Sequence, residues 1–201
     1  MFITFEGTEG VGKSTLIRGV AERLRARRRI VMLTREPGGC ALSEKIRDLI
    51  LAQGMDPWTE IFLYEAARAE HVTKAILPAL ERGEDVLCDR FTDSTLAYQA
   101  QARGLPWKAA IELNRLATQG LSPDVTVWLD VDPAVGLARA RERTRFEDEG
   151  LAFQKNVRQG FAKASRVLPR RWLKLTVGQA TPEDLADQVI AALFKRKLLK
   201  D

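Results

Sequence analysis

The chain has 201 residues, 45% of them hydrophobic and 29% charged, with a net charge of +5. That length suits one domain with a packed core and no metal or disulfide staple, and no stretch reads as a signal peptide or a membrane span, so we expect a cytoplasmic protein in which Cys40 and Cys88 are free thiols. The basic residues are spread through many segments, which favours local phosphate sites over a stable nucleic-acid partner.

In chain order, Phe2 to Glu6 reads as a buried strand, and Lys13 to about Arg27 as a helix with Leu16, Ile17, Val20 and Leu24 on one face. Ile30 to Thr34 is a second strand and Leu42 to Gln53 a second helix. Asp56-Pro57 reads as a cap followed by a first-turn proline, opening a long helix to about Glu81 that Pro78 bends near its end. Asp85 to Asp89 is a third strand, followed by helical stretches at about 93–102 and 106–119. Asp124 to Asp130 is a fourth strand, Asp132-Pro133 starts another helix, and an arginine-rich stretch runs from Arg139 to Gly150. A helix over about 151–168, a fifth strand from Trp172 to Thr176 and a final helix opened by Thr181-Pro182-Glu183-Asp184 complete the chain. Strands alternating with helices predict an α/β fold: a parallel five-stranded sheet flanked by helices on both faces, with ligands at the carboxyl ends of the strands.

The motifs follow the first three strands. Gly7-Thr8-Glu9-Gly10-Val11-Gly12-Lys13-Ser14 fits the phosphate loop G-x-x-x-x-G-K-[ST], with Thr15 behind it. Its backbone N–H groups and the helix N-terminus would hold ATP phosphates, Lys13 would reach the β- and γ-phosphates, and Ser14 would bind Mg²⁺. Thr34-Arg35-Glu36-Pro37-Gly38-Gly39 is a turn-rich loop after the second strand, and Arg47 on the next helix offers a bidentate fork to an acceptor phosphate. Asp89-Arg90 ends the third strand, with Asp89 placed for the Mg²⁺ shell and Arg90 for a phosphate. Tyr64 and Arg68 are spaced i, i+4 on one helix face, and Ser94-Thr95 precedes Tyr98 by one turn. Taken singly, Tyr64 reads as a core aromatic, Arg47 and Arg68 as surface charges, and Asp89-Arg90 as an ion pair; the co-occurrence of the motifs carries the functional reading. His71, the one histidine, reads as a helix-surface residue.

The segments FEGTEGVGKST, TREPGG, LYEAARAEH, DRFTDSTLAYQ, RGL and GLARARER, in this order, resemble the bacterial thymidylate kinase family. The resemblance implies a P-loop NTPase three-layer sandwich over residues 1–201, a short mobile lid at about 139–150, and phosphorylation of dTMP to dTDP by ATP and Mg²⁺. The alternatives are a kinase for another pyrimidine monophosphate and a silent nucleotide-binding protein. It also implies roles. Glu9 lies near the acceptor 3′-hydroxyl and the Mg²⁺ shell. Tyr64 stacks on thymine and Arg68 donates to its carbonyl. Arg47 and Arg90 hold the acceptor phosphate, Thr95 touches the base, and Tyr98 packs on the deoxyribose. Glu36, Pro37, Ser94 and Gln99 complete the acceptor contacts. Family members form homodimers through helices such as the one over 107–119. Arg139, Arg141, Arg143 and Arg145 read as lid arginines, with Arg139 or Arg143 the expected catalytic one, because the loop Thr8–Val11 supplies no arginine. Three departures from the family stand out: Cys40 in place of threonine, Ala100-Gln101-Ala102 in place of glycines, and a lid stretch without the usual Asp-Arg order.

Overall fold

A computed structural model describes residues 1–139, 145–178 and 180–200, with Glu147 described by its backbone alone. Five strands form one parallel sheet in the order β2-β3-β1-β4-β5: β1 (Phe2–Glu6), β2 (Val31–Arg35), β3 (Asp85–Asp89), β4 (Val125–Asp130) and β5 (Trp172–Thr176). The inner strands β1 and β4 are buried along their whole length, as their unbroken apolar runs require, while the edges β2 and β5 are half-exposed. Successive β4 residues face opposite layers. Val127 and Leu129 join the core under α1 (Lys13–Ala26) and α10 (Pro182–Lys195), and Trp128 joins the core under α9 (Gly150–Ala164). The expected three-layer arrangement is thus the observed one.

Between these elements lie α2 (Ala41–Ala52), α3 (Pro57–His71), α4 (Leu77–Glu81), α5 (Thr92–Thr95), α6 (Trp107–Ala117), α7 (Pro133–Arg139) and α8 (Arg145–Asp148). The Asp56 carboxylate accepts from the Trp58 N–H at 2.8 Å with Pro57 in the first turn, and Thr181 and Asp184 close a reciprocal capping box. Both helix starts are as the sequence predicts. The helix from Asp56 is not continuous to Glu81. A π-helical turn, Val72–Ile76, separates α3 from α4. Pro78 has no N–H for the carbonyl one turn back, and the ladder changes register just before it, with the Leu77 N–H bonding the Val72 carbonyl. A second π segment, Leu96–Ala102, follows α5. Strand β2 starts one residue later than expected, leaving Ile30 70% exposed, and α9 ends at Ala164, ahead of the turns that lead to Pro169.

The parallel register places Phe5 of β1 opposite Asp89, and Arg35 of β2 opposite the same residue. The chain leaves β1 across β3 to reach β2 and leaves β3 across β1 to reach β4, so the connections diverge between β1 and β3 and the three motif-bearing loops meet at one crevice. The π segment packs on α9, where a Cβ on Gly160 would come 2.6 Å from Ala97 Cα and 3.0 Å from its carbonyl oxygen. These are backbone atoms that cannot swing aside. Gly160→Ala is expected to cost about 1–3 kcal/mol, read as a lower urea midpoint at unchanged slope.

Candidate active site

The phosphate loop wraps from β1 into α1. Gly12 takes φ 92° as the N-cap, a left-handed conformation that favours glycine, and a Cβ on Gly7 would meet the Leu129 carbonyl at 2.8 Å. Gly10 is also left-handed, Val11 is buried in the core, and Thr15 is exposed in the first turn of α1. Lys13 is buried, its Nζ donating to the Thr8 and Gly7 carbonyls at 3.1 and 3.4 Å. Burial, then the nearby Arg90 charge, lowers its pKa. Ser14 Oγ donates to Asp89 Oδ2 at 3.5 Å, while Asp89 Oδ1 is buried without a partner among the described residues.

Arg90 sits at φ 69°, a rare conformation for a non-glycine residue. Its side chain turns back over the phosphate loop, donating through Nη1 to the Gly7 carbonyl at 2.8 Å and Ser94 Oγ at 3.3 Å, and through Nη2 to Glu9 Oε1 at 2.7 Å. Tyr98 Oη donates to the same Glu9 oxygen at 2.8 Å. Burial works against the Glu9 charge, but Arg90, Lys13 and the Tyr98 hydroxyl outweigh it and hold the pKa below its ordinary value.

A cavity of about 610 Å³, mouth included, opens beside Glu9. Glu36, Pro37 and Arg47 line one side of it, and Arg90, Ser94 and Thr95 another. Tyr64, Arg68, Tyr98 and Gln99 line it as well, so every acceptor-site residue named from the sequence borders this one space. Arg47 is half-buried and donates to the Pro37 carbonyl at 3.0 Å across a cis Glu36-Pro37 bond. Arg68 is 2% exposed, not a surface charge. Its Nε donates to Glu36 at 2.7 Å, and its Nη1 to Glu65, Asn114 and Thr95 at 2.6, 2.7 and 2.9 Å. Among the described residues Nη2 has no hydrogen-bond partner.

His71 is a correction. It is fully buried, with Nδ1 3.0 Å from Glu36 and Nε2 2.7 Å from Thr34 Oγ1. It follows Arg68 by three positions, so it shares the inward face of α3. Gly39 packs so closely on His71 and Thr34 that a Cβ there would collide with both. Arg139 is exposed at the end of α7 and does not line the cavity; Arg141 and Arg143 lie outside the described residues. Arg145 is half-buried and bound to Glu60, not presented to the cavity. Both cysteines are free, and burial pushes the Cys88 thiol up.

The structure adds residues to which the sequence assigned no role: Leu51 and Phe146 in the cavity wall, Asn114 and Glu65 behind Arg68, and Gly136 of α7, where a Cβ would strike the Glu9 carbonyl. Glu65 and Gly136 lie inside the segments LYEAARAEH and GLARARER, but for the others the only signal was helical periodicity.

The class defined by this sheet order, phosphate loop and adjoining polar-aromatic cavity is a P-loop kinase for a small phosphorylated acceptor. A family model described as "Thymidylate kinase" matches residues 5–189. The chain is 50% identical over 197 residues to a thymidylate kinase of Synechococcus sp. (strain JA-2-3B'a(2-13)), covering 98% of this chain and 95% of the relative. It is 44% identical over 209 residues to that of Pelobacter propionicus, again covering 98% and 95%. The crystal structure of thymidylate kinase from Ehrlichia chaffeensis superposes with a TM-score of 0.81 at 36% identity, covering 96% of this chain and 98% of that one. The chain belongs to the thymidylate kinase family.

Glu6, which ends β1 behind the loop, is fully buried and accepts from the Phe91 N–H at 2.8 Å and Ser94 Oγ at 2.6 Å. Burial, then the Asp93 charge, pushes its pKa from 4.5 up to about 8. Between those values the folded chain keeps a proton that the unfolded chain has lost, so stability from this group falls as pH rises through that window. Glu6→Gln is expected to flatten the stability–pH curve there, measured by urea unfolding at several pH values.

Proposed function

We propose that this chain transfers the γ-phosphoryl group of ATP to dTMP, giving ADP and dTDP, with the cavity beside Glu9 as the dTMP site. The observation that carries the reading is the shared border of the two halves: Arg90 bonds the Gly7 carbonyl of the phosphate loop while lining the acceptor cavity. An acceptor phosphate placed between Arg47 and Arg90 lies next to the loop that holds the donor. Tyr64 supplies a stacking face, Thr95 and Gln99 polar contacts, and Arg68 Nη2 a donor for a thymine carbonyl. Tyr98, pinned to Glu9, occupies the floor where the sugar passes.

Lys13 and the loop N–H groups bind the β- and γ-phosphates, and their positive charge stabilises the transferring group. No general base is needed, because the acceptor phosphate is already anionic; positioning and electrostatics suffice. Mg²⁺ fits the donor set. Ser14 Oγ and Asp89 are hard oxygen ligands, and Asp89 Oδ1 has its lone pairs unused among the described residues. Ser14 would hold the ion directly and Asp89 through its shell, and the ion would neutralise charge developing on the phosphates. Arg139 and Arg143 remain the lid cations of this reading.

The homodimer belongs to the same proposal. Leu49 of α2, Phe62 of α3 and Ile111 of α6 are 59, 54 and 45% exposed, on three helices that pack side by side. Phe62→Glu is expected to give a monomer in sedimentation velocity; an unchanged dimer would place the interface elsewhere.

The activity test is ADP release from ATP and Mg²⁺ with dTMP, dUMP, CMP or no acceptor. Turnover is expected to be strongest with dTMP and to fall by about 10²–10³ in Lys13→Ala, which loses a charge aimed at the transferring group. Turnover confined to another monophosphate would keep the kinase and overturn the acceptor.

A further inference from the structure

Glu60 lies in the first turn of α3 with no solvent exposure, and none of the roles above uses it. A carboxylate at that depth persists only with donors on both oxygens. Oε1 accepts from Gln99 Nε2 at 2.8 Å and Oε2 from Arg145 Nη2 at 2.7 Å, while Arg103 reaches both at 3.4 Å.

Each contact fixes a wall of the acceptor cavity. An ionised carboxylate only accepts, so the Gln99 amide must turn its NH₂ toward Glu60. Its carbonyl oxygen is then left for the cavity, which Gln99 lines, and has no hydrogen-bond partner among the described residues. On the other side, Arg145 Nε donates to the Ile50 carbonyl at 2.6 Å, and its guanidinium lies 4.4 Å over the Phe146 ring. Phe146 stands edge-on to Tyr98 at 5.8 Å and borders the same cavity.

We propose that Glu60 is a specificity-determining positioning residue, which holds Gln99 as a hydrogen-bond acceptor toward the acceptor nucleotide's base. The inference rests on reading the cavity as the dTMP site. An acceptor at that wall suits the imide N–H of thymine or uracil. It opposes cytosine, whose N3 is itself an acceptor. If the amide were free to turn over, the wall would offer a donor instead and the preference would fade. Glu60 itself touches no substrate.

The test measures kcat and KM for dTMP, dCMP and ATP in the wild type, Glu60→Gln, Gln99→Met and the double variant. Glutamine at 60 can donate or accept, so it releases the Gln99 amide while keeping the side chain's shape. The expected result is a rise in the dTMP KM of about tenfold, a comparable loss of preference for dTMP over dCMP, and an unchanged KM for ATP. Gln99→Met should lose the same preference, and the double variant should be no worse than the poorer single one, because both act through one amide. An unchanged preference in folded Glu60→Gln, or additive losses in the double, would overturn the inference. Should Glu60→Gln fail to fold, Gln99→Met decides: a preference kept there overturns it. A wild type that turns over another acceptor but not dTMP would overturn the dTMP assignment, and the inference with it. That outcome is distinct from normal dTMP turnover with no effect of the substitutions.

Discussion

One buried guanidinium joins the parts of the acceptor side. Arg68 of α3 binds Glu36 from the loop after β2, Glu65 one turn back on its own helix, Thr95 of α5 and Asn114 of α6, and it lies 5.4 Å over the Phe91 ring. A buried arginine is tolerated only when its donors are filled, and four elements must be in place to fill these. The pair of carboxylates exceeds its charge by one, and burial raises the Glu65 pKa accordingly. His71 supports Glu36 from behind, fixed in turn by Thr34. The cavity receives the one donor edge the scaffold leaves over, so the cavity wall and the cohesion of four elements depend on the same side chain.

The donor side is tied to this network through strained backbone. Arg90 follows β3 directly, and its φ of 69° lets its N–H bond the Phe5 carbonyl while the side chain doubles back to Gly7 and Glu9. A left-handed conformation of that kind costs about 1–2 kcal/mol. Three side-chain hydrogen bonds and a cation–π contact with Tyr98 offset it. An extended Arg90 would continue β3 and leave the phosphate loop and the acceptor cavity without a shared cation. The π segment works in the same direction: it sets Tyr98 and Gln99 on the cavity side and hands the chain to Leu105, whose N–H bonds the Gln99 carbonyl.

The order of elements and all five strands were legible because inner strands of a parallel sheet are unbroken apolar runs and the helix starts carry caps. The residues that border the cavity were legible as well, through motifs whose spacing matches a family. What the sequence did not disclose were the partners that position them. Glu60, Glu65 and Asn114 look like solvated helix polars, since a period of about 3.6 says which residues share a face but not what that face meets. His71 shows the limit from the other side. It shares a helix face with Arg68, yet a lone histidine on a charged helix reads as a surface residue and carries no sign of the glutamate that waits for it. The π turns were illegible for a related reason: a proline announces a broken ladder, but the neighbouring packing decides where the extra residue goes.

Charge completes the link between the two halves. Lys13 is buried on two backbone carbonyls, and Arg90, second only to burial, pushes its pKa down. Asp89 and Glu9 face this pair, and Glu9 is already committed to Arg90 and to the Tyr98 hydroxyl. A polyphosphate at the loop adds negative charge beside this pair and stabilises the charged lysine. The desolvation that disfavours Lys13 in isolation strengthens its attraction to phosphate once the two meet, because the same low-dielectric surroundings act on both terms. The enclosure that Tyr98 and Glu9 help to build thus also sharpens the field at the phosphate loop, and Arg90, shared by both, ties the two halves together.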